Sequence, residues 1–466
     1  MSSRGTRDPL HAKGIPPSFE LTIFLSNNCL TILSYPSKNL DMKKIGAILF
    51  LLLFTQQVHS QQNMPMSTPE AQGFSSERLM RIDKNVQQWI NNNWMNSALV
   101  MISRNGKVIY NKAFGYDDAD KKKLLKNDQL FRLASQTKAV TSVGIMVLFE
   151  EGKLMLDDSL AKYIPEFANV KVIDQFNEND TTYTTVPAIR PITMRDLLTH
   201  TSGIGYAQIG SKIANAIYAK NNITSGIAEP AGNSLGNAMK RLGSLPIMHQ
   251  PGKKFTYGLN SDVLGYVIEV VSGQKLDEFF RSRIFDPLGM KDTWFYLPKE
   301  KQARLTTLTM EDDKGLHPMN ENYKFNGSRM KPDYPTETGT YFSGGAGLTA
   351  SITDYAIFLQ MLLNGGTYNG KTILSPNSVR MMTSNQIGEL SLGNEKFGLG
   401  FSITTEQSAA KLPVSVGNFS WGGAFGTSYW VDPKEKIVAQ IYTQIWGRRH
   451  NIEDAFKVLV YQAMLH

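Results

Sequence analysis

The stretch FRLASQTKAV, Phe131 to Val140, places Ser135 and Lys138 three residues apart where an apolar helix begins. A lysine on an apolar face is costly unless it has a use. On a helix, residues three apart share a face. A serine in the first turn sits at the positive end of the helix dipole, beside unpaired backbone N–H groups. That end can stabilise a developing oxyanion. It also disfavours an ammonium, as burial does, and a neutral amine beside a hydroxyl can take its proton. The pair therefore has the parts of an activated serine nucleophile. Taken alone, Ser-x-x-Lys occurs by chance in most long chains, and a serine cap with a snorkelling lysine is its commoner explanation. The rest of the sequence has to decide.

Working outward, the chain reads as helix and hairpin at the front, helices in the middle, strands and a helix at the back. Leu79, Ile82, Val86 and Ile90 recur at helical spacing behind serines within Ser75–Trp94. Two strand-like runs flank Asn105-Gly106, a hairpin signal. Asp117–Lys126 reads as a charged, solvated loop, and the polar runs 177–183 and 228–237 read as loops between helical patches. From Phe397 the pattern turns to strands: FGLGFSITT, PVSVGNFSWGG, FGTSYWVD and KIVAQIYTQIW, with a turn at Asp432-Pro433. A last helix is expected over Ile452–Leu465. This order predicts an α+β fold with one antiparallel sheet built from both ends of the chain, over 66–155 and 340–466. A mainly helical lobe, 156–339, is inserted between them.

Several segments share more than a pattern. FRLASQTKAVTSVGIMVLFEEGKLMLDD resembles the nucleophile segment of the serine β-lactamase and penicillin-binding-protein superfamily, nearest the class C-like branch with its esterases and D-peptidases. ITMRDLLTHTSGI, PGKKFTYGLNSDVLGYVIEVVSG, FDPLGMKDTWF, GGAGLTASITDYAIFLQMLLNGG and SWGGAFGTSYWVDP follow in the family's order and spacing. The resemblance covers nearly all of the chain after residue 60. It implies a β-lactamase/transpeptidase-like fold in which Ser135 is acylated, Lys138 helps remove its proton and Tyr257 serves as base or proton shuttle. It also implies that Trp421-Gly422-Gly423 is the strand beside the nucleophile, and that the N–H groups of Ala424 and Ser135 form the oxyanion hole. No cofactor and no metal are implied. The implied partner is a small-molecule acyl substrate.

The match departs from the family in two places. The family's Tyr-x-Asn would need asparagine at 259, and this chain has Leu259, with Asn260 one residue out of step. A strand that reads Lys-Thr-Gly in lactamases is Trp421-Gly422-Gly423 here. Leucine cannot hydrogen-bond a substrate amide, and an indole offers an apolar wall and one N–H in place of an ammonium. Both changes favour a neutral, rather apolar acyl group, and with Tyr-x-x-x-x-Asp-Val-Leu-Gly they resemble the esterase-type members. Carboxylic ester hydrolysis is therefore expected. The alternatives are a class C-type β-lactamase or D-amino-acid peptidase, and a non-catalytic binding protein of the same fold.

Composition sets the outer bounds. The chain has 466 residues, 41% hydrophobic and 19% charged, as an ordinary globular protein has. Met42–Ser60 has two lysines, an apolar run from Ile45 to Phe54 and a small residue at its end, the layout of a secretory signal peptide. The run is too short to cross a bilayer, which takes about 20 residues. The 41 residues before it read as a wrongly chosen start. Loss of residues 1–60 takes the net charge from +8 to +5 and removes the single cysteine, Cys29. That charge is too mild to argue for nucleic acid, and no disulfide or lipid-anchoring cysteine remains. An exported protein, in the periplasm or the medium and without a stable membrane anchor, is expected.

Two other motifs are set aside. Gly365–Thr372 formally matches a phosphate-binding loop, but it follows a helix and leads to a proline turn at Ser375-Pro376. No Gly-x-Ser-x-Gly occurs, and no His-Glu-x-x-His. His200 reads as a structural hydrogen-bonder.

Overall fold

Alternating apolar residues in Ser97–Arg104 explain the architecture. Leu99 and Met101 enter one buried cluster, while Ala98, Val100 and Ile102 enter another. A strand with both faces covered lies inside a sheet. In the computed structural model this strand sits in an antiparallel seven-stranded sheet. Its order is Lys396–Phe397, Ser402–Ile403, Phe419–Gly423, Thr427–Asp432, Ile437–Tyr442, Ser97–Arg104, Lys107–Gly115. The structure describes residues 64–465 apart from 119–121, 224–226, 228–232 and 326–327. The expected leader at 42–60 and the segment before it lie outside the described residues. Those described belong to one unit, Gln61–His466. Among them, no helix is long and apolar enough to cross a membrane.

Front and back of the chain meet where Leu99 pairs with Tyr442 and Arg104 with Ile437. The hairpin turns at Asn105 and Gly106, both at positive φ, as a two-residue turn requires. On one face pack the helices Ser76–Asn91 and Glu453–Tyr461, with Trp89, Trp430, Phe456 and Val460 between them. The other face carries Ile352–Leu363 and Thr137–Glu150. Every residue of the latter from Thr137 to Leu148 is buried, so it is a central helix, apolar all round. That answers why its face looked wrong for a lysine. Gly144 lets it close on Asn260–Ser272, since a methyl there would sit 2.9 Å from Ile268 Cδ1.

Four expectations need correction. Asp117 is not solvated: it is 3% exposed, and its carboxylate accepts from Lys123 Nζ at 2.6 Å and from the Thr307 N–H at 3.0 Å. The polar run 177–183 is a loop as far as Thr182, but it joins two strands of a hairpin, Lys171–Phe176 and Tyr183–Pro187, rather than helical patches. Of the loop expected over 228–237, residues 228–232 are not described, and a helix already starts at Leu235. Ser375-Pro376 is a helix start rather than a turn: Ser375 caps Pro376–Met382 and proline takes the first helical position, where its missing N–H costs nothing. Gly365–Thr372 is a small hairpin, Thr367–Tyr368 with Lys371–Thr372. The segment 156–339, expected to be mainly helical, also carries strands: Thr309–Asp312 pairs in parallel with Ile445–Trp446.

Candidate active site

Local sequence sets the geometry around Ser135. A short three-stranded sheet, Leu130–Arg132 and Thr293–Trp294 on either side of Thr349–Ser351, delivers the chain. The Leu133 N–H donates to Leu348 O, and the Leu348 N–H donates to Thr137 Oγ1. Ser135 does not lie in the first turn of the α-helix, as expected, but in a 3₁₀ turn, Ala134–Gln136, that runs straight into it. Ala134 holds φ at 46°, a left-handed conformation that costs a non-glycine residue about 1–3 kcal/mol. Of the ten residues in FRLASQTKAV, nine are buried and Ser135 alone is partly open.

Lys138 is 2% exposed. Its Nζ donates to Ser135 Oγ at 3.2 Å and to Gly345 O at 2.7 Å, and it lies 4.7 Å from the centre of the Tyr257 ring. Tyr257 OH donates to Ser135 Oγ at 2.7 Å. The tyrosine is held by its own backbone. The Thr256 N–H donates to His200 O, and the Leu259 N–H to Gly205 O. A methyl on Gly258 would lie 2.0 Å from Ile204 O, so only glycine lets this segment come so close. The structure thus brings the three expected residues into one hydrogen-bonded group.

The Trp-Gly-Gly segment closes a third side. Phe419–Gly423 pairs with Thr427–Asp432, Trp421 opposite Tyr429 and Gly423 opposite Thr427. A methyl on Gly423 would meet Leu133 O at 2.2 Å and Thr427 Oγ1 at 2.3 Å. Glycine is therefore what presses this strand against the Ser135 turn. Ala424 follows at the strand's exposed end. The Trp421 ring stands 5.6 Å from Tyr257 and 5.3 Å from Phe397, which packs in turn on Phe255. Trp421, Tyr257 and Phe255 are half-buried beside Ser135, as are Gly422 and Gly423, while Phe397 behind them is buried.

His200 and Asn260 lie behind the group. Asn260 is fully buried at the start of its helix: its Nδ2 donates to His200 Nδ1 and its Oδ1 accepts from Ser202 Oγ. Its side chain is turned inward, as its one-residue offset predicts, and Leu259 beside it is buried too. His200 accepts that hydrogen bond as a structural ring, 4.9 Å from Tyr257. Burial, and then the charge of Lys138, push its pKa well below the usual imidazole value.

Sequence reasoning missed four residues: Tyr206, Asp262, Ser343 and Gly345. Tyr206 is buried 5.4 Å from Tyr257, and burial pushes its phenol pKa up. Asp262 accepts from Ser343 Oγ at 2.6 Å; burial raises its carboxyl pKa, while Ser343 and Lys138 pull it back. Both glycine-rich GGAGLTAS and the Asp-Val-Leu-Gly run stood in the quoted segments, but nothing in either shows which carbonyl a distant amine will find. Among the described residues, no three His, Asp or Glu side chains group so as to hold a metal ion.

A partly open serine touched by a buried lysine and a tyrosine, at a helix entrance beside a sheet strand, is the site of a serine hydrolase of the β-lactamase/transpeptidase fold. The family model for beta-lactamases matches residues 82–462, and the chain belongs to that family. Protein Rv1367c of Mycobacterium tuberculosis is 32% identical over 74% of this chain and 84% of its own length. Esterase EstB of Burkholderia gladioli is 28% identical over 76% of this chain and 86% of its own. Among solved structures, EstCE1, a hydrolase with promiscuous acyltransferase activity, superposes with a TM-score of 0.71 at 26% identity, covering 84% of this chain and 99% of that one.

Proposed function

We propose that this chain is an exported serine hydrolase that cleaves carboxylic esters through an acyl-enzyme on Ser135. The observation that carries the reading is the meeting of Tyr257 OH and Lys138 Nζ on one oxygen, Ser135 Oγ. In the first half-reaction Ser135 Oγ bonds to the ester carbonyl carbon, and its proton passes to the Lys138–Tyr257 pair. The carbonyl oxygen becomes an oxyanion held by the N–H groups of Ser135 and Ala424. The carbon–alkoxide bond then breaks, and the alcohol leaves with that proton. In the second half-reaction a water molecule bonds to the acyl carbon, gives up a proton to the same pair and releases the carboxylic acid, which returns Ser135 to its hydroxyl form.

Ester rather than amide is favoured by what the mouth lacks. Asn260 is engaged with His200 and Ser202, Leu259 is buried, and Trp421 stands where a lactam carboxylate would want a cation. The esterase among the relatives supports the same choice. A fluorophosphonate probe is expected to label wild type and not Ser135→Ala. Turnover of a chromogenic ester should exceed that of a chromogenic cephalosporin, and the opposite order would make the chain a β-lactamase. Export is proposed from the leader at 42–60, and intact mass of the natural protein tests it: a chain that keeps Met1 refutes it.

A further inference from the structure

A fourth ionisable group stands behind the three that meet at Ser135. Asp262, in the first turn of Asn260–Ser272, is 1% exposed. Its carboxylate accepts from Ser343 Oγ at 2.6 Å and from the backbone N–H of Gly345. A methyl on Gly345 would lie 2.3 Å from Asp262 Oδ2, so glycine is what lets the carboxylate close on this turn. Ser343 Oγ accepts in turn from the Ala346 N–H, and Thr141 Oγ1 donates to Gly344 O at 2.7 Å. The turn 343–346 is therefore pinned on two sides. What it offers the site is Gly345 O, the closest hydrogen-bond acceptor of Lys138. A buried amine with two acceptors points where they dictate, and here the second is Ser135 Oγ.

Charge acts along the same path. Facing Asp262 are Lys138 from the central helix and Tyr206 from the loop after Met194–Leu198; Tyr257 and Tyr341 face Tyr206 in turn, and Tyr257 also lies under Lys138. His200 faces Lys138 from the far side. Asp262 is the one carboxylate in this group.

We propose that Asp262 is a positioning residue for the reaction at Ser135: through the 343–346 turn it aims Lys138 at the serine. The proposal rests on the ester-hydrolase reading above. Asp262→Asn keeps the shape, since an amide can still bond to Gly345 and Ser343, but it replaces the carboxylate's hydrogen bonds to the turn by weaker neutral ones. Ser343→Ala removes one of the contacts that pin the turn and keeps the charge.

The test is kcat and KM for a chromogenic ester, on the full chain, with Tm measured alongside. Asp262→Asn should lower kcat about 10-fold or more and leave KM within about twofold, as a misaimed amine would. Ser343→Ala should lower kcat in the same way. A folded Asp262→Asn protein with wild-type kcat, or one that changes only in KM, overturns the proposal. Should Asp262→Asn fail to fold, Ser343→Ala decides: wild-type kcat overturns, reduced kcat at unchanged KM supports. Wild type without ester turnover sinks the esterase reading, and Ser135→Ala with it sinks both.

Discussion

Ser135 has two donors on one oxygen, and the phenol can be removed without disturbing the core. Tyr257→Phe keeps the ring against His200, Tyr206 and Trp421 and deletes only the hydroxyl. It should lower kcat by about 10²–10⁴-fold, the range for losing a proton-transfer group, with probe labelling slowed in parallel. Gly423→Ala tests position rather than chemistry. Its methyl would press on Leu133 O, a backbone atom next to the Ser135 turn, and something must shift. A misplacement of this kind is expected to cost on the order of 10²-fold in kcat/KM, with the circular dichroism spectrum unchanged. Ser135, Lys138 and Tyr257 could be found in the sequence because each is embedded in a segment of distinctive neighbours. Asp262 and Gly345 could not, since a carbonyl acceptor has no residue type. The Lys138–Gly345 bond joins points 207 residues apart.

At the scale of elements, the sheet and the helices on it carry the stability. Trp430 is buried between Phe456 and Tyr461, and Trp430→Ala should destabilise by about 3–5 kcal/mol in a denaturant melt. Asp354, in the first turn of Ile352–Leu363, gives a pH signature. Burial pushes its carboxyl up to about 7, despite the Asp292 N–H and Thr293 hydroxyl that donate to it. The folded state then holds a proton that the unfolded chain releases near pH 4, so this group's contribution to stability falls as pH rises from about 4 to about 7. Asp354→Asn, which keeps the acceptor and cannot ionise, should flatten Tm over that window, and a slope equal to wild type's contradicts the assignment. The main strands were legible because they are continuous apolar runs, buried on both faces. The hairpin Lys171–Pro187 was not, since most of its residues face solvent and no alternation marks them. Asp117 looked like surface because its partners, Lys123 and the Thr307 N–H, come from a nearby turn and from far along the chain.

The whole molecule is tied at its ends. The Ser75 N–H donates to Ala463 O, the Leu465 N–H donates to Gly73 O, and Arg78 reaches Gln462 O. Removal of the chain from Ile452 onward would strip Phe456 and Val460 from the core under Trp89 and Trp430. Such a truncation should be recovered only as insoluble or protease-sensitive material, compared with full-length chain in limited proteolysis. The sheet built from both ends of the chain was visible from order alone, because strands stood at both termini and helices between. How its strand beside Ser135 reaches the site was not, because that strand is held there by glycines whose value lies in contacts made only on folding.

Pairing of Leu99 with Tyr442 also orders events in time. The first strand to leave the ribosome waits for nearly the last before it can bond on that edge, and long-range strand pairing of this kind is slow. Until then the nascent polypeptide stays open, bearing apolar stretches that need a chaperone's cover.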